Sequence, residues 1–449
     1  MKKTMLTLVI GLTVSCSSLA DDLMAVYNLA ASNDPIINRA EAQKDSAYSA
    51  IALSRANLLP QLSGSIGYSD SSSERFQPGL GVFEIENTSL NYGIDLNMSL
   101  YDHANWLGLD RAELLAQQSD AILGATLQGL MQRTVAAYLS VLREKDNVEF
   151  VKAELRAIER QLEQTKQRFE VGLTAITDVH EAQANFDNTV ALQIRAENLE
   201  ELRLEELREI TGKYHDQLFV LDTKLFTPVA PSPNTASAWL EIAEESNLNL
   251  LAQRFAKDIA KEEIDIARSA RLPTLALRGS YGIDNSENSI NGGATNDLPS
   301  LDSQSIGLNL NIPIYLGGSI SARTDIARSE FVVASENLEL SYRQTVRTVR
   351  SSFNNVSASI STIRALEQSV VSAESALQAT EAGFDVGTRT IVDVLNSTRN
   401  LFDARRNLAD ARYNFIISIV NLKQAAGTLT VDDLRAINQV LKPEPAEQS

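Results

Sequence analysis

Thiols are all but missing from this sequence. Its one cysteine, Cys16, lies in a leader-like stretch where Lys2 and Lys3 precede an apolar run from Leu6 to Val14 and small residues end at Ala20. That layout predicts a secretory signal over residues 1–20 and a mature chain from Asp21 with neither thiol nor disulfide. Lipidation is the other use such a cysteine finds, but Thr13 stands where an aliphatic residue is usual. Histidine is scarce too. His103, His180 and His215 are scattered, with no His-Glu-x-x-His, no cysteine ligands and no Gly-x-Ser-x-Gly elbow, so the sequence predicts no metal, no cofactor and no catalytic triad. Adjacent acids such as Glu205 and Glu206, or Glu262 and Glu263, point in different directions along a helix and read as solvated faces.

Positive charge is also short. The formal charge of −18 becomes −20 once Lys2 and Lys3 are removed, which argues against a nucleic-acid partner, because phosphates need a basic surface. After the leader no stretch approaches the ~18 apolar residues of a membrane-spanning helix. An exported chain that crosses a bilayer without such a helix must do so with strands.

What the sequence does contain is a long internal repeat. Leu58-Leu59-Pro60-Gln61-Leu62 answers Arg271-Leu272-Pro273-Thr274-Leu275, and Arg168-Phe169-Glu170-Val171-Gly172 answers Gly383-Phe384-Asp385-Val386-Gly387. Thr177-Asp178-Val179 answers Val392-Asp393-Val394, and the offset stays near about 214 residues throughout. Two like halves are therefore expected, over residues 21–229 and 230–442, with Pro228, Pro231 and Pro233 at the junction and a polar, disordered tail over 443–449. Each half reads as a helix, two strands, a very long helix, a tight turn at the Val-Gly pair and a second helix.

The long helices, about Asn105 to Val171 and Ile320 to Val386, hold no proline and would each measure roughly 100 Å at ~1.5 Å per residue. Ile363, Leu366, Val370, Ala373, Leu377, Thr380 and Phe384 alternate spacings of three and four, as in a coiled-coil seam. The following helix repeats every seven residues through Val394, Leu401, Leu408, Phe415 and Leu422, with small residues between. A plain antiparallel hairpin without a lumen shows the same pattern.

Strands are expected over about 61–70, 86–101, 273–284 and 303–315. Leu90, Tyr92, Ile94, Leu96, Met98 and Leu100 alternate with polar residues, and Ile306, Leu308, Leu310, Ile312 and Ile314 repeat the pattern. Between each pair lies a polar stretch, Ser69 to Gly81 and Asn285 to Ser300, placed like the external loops of outer-membrane barrels. Strands span lipid only as a closed barrel, and the smallest have about eight, so four must borrow neighbours. A soluble periplasmic coiled-coil scaffold or adaptor is the alternative, and its weakness is that it leaves the alternating strands unexplained.

Thr348-Val349-Arg350-Ser351-Ser352-Phe353-Asn354-Asn355 and Val386-Gly387-Thr388-Arg389-Thr390-Ile391-Val392-Asp393-Val394-Leu395 are specific, and on them the chain resembles the TolC family of outer-membrane efflux channels over nearly its whole length. The resemblance implies a homotrimer: a twelve-stranded barrel in outer-membrane lipid, four strands per protomer, continued by a periplasmic α-helical coiled-coil barrel closed at its tip. It implies an exit duct for multidrug efflux pumps and type I secretion, not an enzyme, opened by a periplasmic membrane-fusion adaptor and an inner-membrane RND, ABC or MFS pump. By resemblance Arg389 would bond Thr177 and Asp178 of a neighbour, Gln161 would pair with Glu381, and Asp393 and Asn396 would form the entrance selectivity ring. Val171, Gly172, Leu173, Val386, Gly387 and Thr388 would be the tips where the adaptor docks. Two residues depart from the family pattern: Phe384 replaces a tyrosine of the gate, and Asn396 replaces an aspartate of the ring. A latch is thereby lost and the block to cations weakened, so a more easily opened closed state is expected unless another group substitutes.

Overall fold

The computed structural model describes residues 21–294 and 296–443. The predicted signal, and residues 444–449 of the predicted tail, lie outside them. In the first half, α1 (Leu23–Asn33) and α2 (Pro35–Ala56) lead to β1 (Gln61–Gln77) and β2 (Gly81–Tyr101), then α3 (His103–Glu170), α4 (Ile176–Thr211) and the short β3 (Val220–Leu221). The second half runs α5 (Ala236–Ser246), α6 (Leu248–Ser269), β4 (Thr274–Ile290), β5 (Asn296–Asp297), β6 (Leu301–Asn311), α7 (Ser319–Asp385), α8 (Ile391–Ala425), α9 (Val431–Asn438) and β7 (Leu441–Lys442). No described helix is long and apolar enough to cross a membrane.

Two points differ from the sequence reading. The single helix expected at the start of each half is a broken pair. Asp34 Oδ1 accepts from the amides of Ile36 at 2.7 Å and Ile37 at 3.1 Å, and Pro35 takes the first helical position, where no amide is needed. In the second half Asn247 ends α5 in an extended conformation before α6 begins. The predicted polar loops are also largely strand: β1 runs to Gln77 and pairs in unbroken register down to Gln77 with Gly81, and β4 runs to Ile290. Hydrophobic alternation fades there, with Ser71, Ser72, Ser73 and Glu74 polar on both faces, but backbone pairing does not require it.

The described chain forms two compact units, and each takes segments from both halves. The sheet unit, residues 39–124 and 248–344, contains an antiparallel sheet of order β1-β2-β4-β6, with β5 adding a short pairing to β4. Its register aligns one apolar face. Leu62 lies opposite Leu96, which faces Gly279 and then Ile306; Ile66 lies opposite Tyr92, which faces Ile283. The other face carries Ser63, Ser65, Asp95, Arg278, Ser280 and Asn309. All of β1 and all of β6 are exposed, including Ile66 at 76 % and Ile306 at 80 %.

The helical unit, residues 21–38, 125–247 and 345–443, holds the large core. Leu130, Tyr138, Leu139 and Leu142 of α3 pack with Tyr413, Phe415, Ile416 and Leu422 of α8 and with Leu23, Val26 and Ile37. Several buried polar groups in this unit are paired, although the Thr134 hydroxyl is buried without a partner among the described residues. Asp34 meets Arg133 at 3.0 Å, and Tyr138 Oη donates to the Phe219 carbonyl at 2.9 Å. His215 is buried between Asp21 Oδ2 at 2.7 Å and Thr211 Oγ1 at 3.0 Å, so its use is to fasten the chain at Asp21.

Candidate functional site

The helical unit contains two α-hairpins, α3 to α4 and α7 to α8, whose turns have the same construction. Leu173 N–H donates to the Arg168 carbonyl at 2.8 Å and Gly172 N–H to that of Phe169 at 2.9 Å; Thr388 donates to Gly383 at 2.8 Å and Gly387 to Phe384 at 3.0 Å. This pairing closes a helix with a left-handed residue, and Gly172 and Gly387 have φ of 78° and 75°. The tips then present apolar side chains to solvent: Val171 and Leu173 at 70 %, Val386 at 75 %. A Cβ on Gly172 would meet nothing within 4 Å, so its substitution strains only the backbone. Gly172→Val is expected to abolish efflux in a drug-susceptibility assay while the oligomer still forms on a native gel. Loss of both together would make the glycine purely a folding requirement.

Asp178 and Asp393, matched by the repeat, occupy the same place in the first turn of α4 and α8. Asp393 completes a capping box: its carboxylate accepts from the Thr390 amide and hydroxyl, both at 2.9 Å, while its own amide donates to Thr390 Oγ1 at 3.3 Å. The Thr390 amide, then its hydroxyl, and more weakly the charge of Arg389, hold this carboxyl below the usual aspartate range. In the first half Ala175 stands at the capping position, so Asp178 is bonded by the Thr174 hydroxyl. Sequence reasoning missed both pairings, although Thr390-x-x-Asp393 is a helix-start signature.

The remaining predicted residues are placed as follows. Thr177, Glu381, Arg389 and Asn396 are exposed. Gln161 and Glu381 do not bond each other within the protomer, and the Arg389 guanidinium forms no hydrogen bond there among the described residues. Phe384, by contrast, is 8 % exposed and packs with Ile158, Ile391, Val394 and Leu395. Its ring fills the seam between the two hairpins at their tips.

A sheet with two unpaired, exposed edges and a register-aligned apolar face, together with paired long α-hairpins, defines a protomer of a membrane-spanning β-barrel channel. The family model described as outer membrane efflux protein matches residues 26–213 and again 239–428, once in each half. The outer membrane protein TolC of Vibrio cholerae is 46% identical over 434 residues, covering 96% of each chain. The alkaline protease secretion protein AprF of Pseudomonas aeruginosa is 30% identical over 434 residues, covering 95% of this chain and 89% of its own. Among solved structures, the Campylobacter jejuni CmeC outer membrane channel superposes with a TM-score of 0.76 at 18% identity, over 94% of this chain and 90% of that one. The chain belongs to the outer membrane efflux protein family. It is an outer-membrane exit duct of a Gram-negative cell, for efflux and secretion.

Proposed function

We propose that three copies close β1 of each protomer against β6 of the next into a twelve-stranded barrel in outer-membrane lipid, and that the α-hairpin tips form a periplasmic gate. The observation that carries this is the pair of open sheet edges flanking a continuous apolar face. Tyr68 to Gln61 spans roughly 25 Å at ~3.3 Å per residue, the height of an outer-membrane apolar band. In this reading the duct catalyses no reaction and serves tripartite drug efflux and type I secretion. The exposed tips at Val171 to Leu173 and Val386 to Thr388 receive a periplasmic membrane-fusion adaptor, which couples to an inner-membrane pump of the RND, ABC or MFS class. Arg389, with its planar fork of donors, reaches Thr177 and Asp178 of a neighbour, and Gln161 reaches Glu381. Asp393 and Asn396 line the entrance, where a single carboxylate per protomer favours cations.

Single-channel recording of the detergent-extracted protein in a planar bilayer tests this. Within one protomer the Thr390 cap holds the Asp393 proton off below the ordinary value of 3.8, whereas three carboxylates facing each other on an axis push their titration upward. Cation-favouring steps whose pH response lies above that value, and vanishes in Asp393→Asn, are expected. A response confined below it would reduce Asp393 to a helix cap. No current at all, even with Arg389→Ser, would remove the gated-duct reading.

A further inference from the structure

The two hairpin tips are joined inside each protomer by a contact that the internal repeat did not foreshadow. Arg168 stands three residues from the tip turn of the first hairpin, and its guanidinium carbon lies 4.5 Å from the centroid of the Phe384 ring. The same guanidinium is 3.8 Å from Asp385 Oδ1, so it reaches across the seam to the last two residues of α7. The Phe384 ring is held from below by Ile158 of α3 and by Ile391, Val394 and Leu395 of α8. A flat cation over a desolvated ring face is attracted by its quadrupole, and arginine stacks there better than lysine does.

The halves differ at this position. The repeat aligns Arg168 with Gly383 and Phe169 with Phe384. Phe169 is 41 % exposed, against 8 % for Phe384, so only one of the two matched rings is enclosed. Gly383, in turn, is occupied by the side chain that passes over it: a Cβ there would lie 2.8 Å from Arg389 Cγ and 3.3 Å from Thr388 Oγ1. One half thus supplies a cation where the other supplies a gap, and the gap receives the stem of Arg389. Phenylalanine at 384 brings no hydroxyl to the tip, and the ring is instead fixed from above by Arg168.

We propose that Arg168 is an intraprotomer latch of the tip: stacked on Phe384 and paired with Asp385, it ties the first hairpin to the second, and opening requires the Phe384 ring to leave it. The proposal rests on the gated-duct reading above. It supplies the substituting group that the sequence-based expectation left open, because the holding contact lies on the ring face. The cation over the enclosed ring carries more of the latch than the ion pair, since Asp385 is 65 % exposed and screened by salt.

Bilayer recordings on the detergent-extracted oligomer test the latch. Arg168→Gln is expected to raise the open fraction roughly three- to tenfold, and Arg168→Lys, which keeps charge without the planar face, to raise it less. Asp385→Asn is expected to act weakly, and only at low salt. Phe384→Leu should match Arg168→Gln, with the double variant no more open than either single one, because both remove the same contact. If Arg168→Gln and Arg168→Lys both gate like the unaltered protein while Arg389→Ser opens the channel, the latch is wrong and the gate reading stands. Should Arg389→Ser fail to open it as well, the gate reading itself falls. If Arg168→Gln does not assemble, Arg168→Lys and Phe384→Leu decide, and unchanged gating in both overturns the latch.

Discussion

Gly427→Ala is expected to cost about 3–6 kcal/mol and to lower the thermal midpoint of the helical unit well below that of any tip variant. Gly427 closes α8, its amide donating to the Gln424 carbonyl at 2.9 Å while the Thr428 amide reaches that of Lys423 at 2.9 Å. Its φ is +75°, and a Cβ would fall 2.2 Å from the Ser246 carbonyl oxygen and 2.8 Å from Asn247 Cα, both backbone. Nearby bonds fix the same crossing: Asn247 Nδ2 donates to the Ala425 carbonyl at 2.8 Å, and Gln128 Nε2 to that of Gly427 at 2.9 Å. The left-handed conformation costs an alanine ~1–2 kcal/mol, overpacking ~1–3, and a displaced hydrogen bond about 1. Gly172→Ala supplies the control. Its φ of 78° is alike but its surroundings are empty, so only the first of those costs applies. Circular dichroism melts of the two variants check this. A Gly427→Ala melt close to that of Gly172→Ala would show that the crossing of α8 over the end of α5 is not tight.

The second large effect concerns the contact of α3 with α8. Asp146 is half-buried, and Tyr413 Oη donates to its carboxylate at 2.7 Å. Burial pushes the carboxyl up to about 6 from 3.8, against the opposing pull of the Tyr413 hydroxyl, with Glu149 adding to the rise. For an acid raised on folding, the folded protein binds more protons than the unfolded one between those two values. Stability therefore falls as pH rises from about 3.8 to about 6 and is flat beyond. The accumulated cost at neutral pH is about 3 kcal/mol at ~1.4 kcal/mol per unit. Asp146→Asn removes that cost and keeps an acceptor for Tyr413, so urea titrations should show a gain of about 1–3 kcal/mol at pH 7.5 and little change near pH 4. Tyr413→Phe should do the reverse, because the carboxylate loses its donor where it is charged and little where it is protonated. If Asp146→Asn were less stable than the original at both pH values, the site would be solvated and the burial argument wrong.

Much of this architecture is legible in the residues. Period-two alternation in Leu90 to Leu100 fixes which face of β2 is apolar, and the matched Val-Gly pairs fix the two turns, because both signals are local and strong. The ends of β1 and β4 were misread because polar side chains on both faces look like loop, while the backbone bonds that make a strand leave no trace in hydropathy. The break before Pro35 is readable in principle, because Asp-Pro is a helix-start signal; the one at Asn247 is not, and the bond of Asn247 to the end of α8 accompanies it. At the tip the candidate residues were locatable by resemblance, and their pairings were not. Arg168 shows why. Its partner lies more than two hundred residues away on another hairpin, and nothing in its immediate sequence distinguishes it from a solvated arginine.

The composition of the helical unit has a consequence for how the protein is made. Tyr138, Leu139 and Leu142 find their partners in Tyr413, Phe415 and Ile416, and the hydrogen bond from Tyr413 to Asp146 joins residues 267 apart. A chain exported from its N-terminus delivers α3 long before α8, so the part of this 68-residue helix that packs on α8 waits uncovered until nearly all of the protein has crossed. The sheet strands wait with it, since β2 needs β4 from the second half. The duplicated halves therefore mature together rather than in sequence, and the unfinished chain exposes apolar surface that the finished one covers.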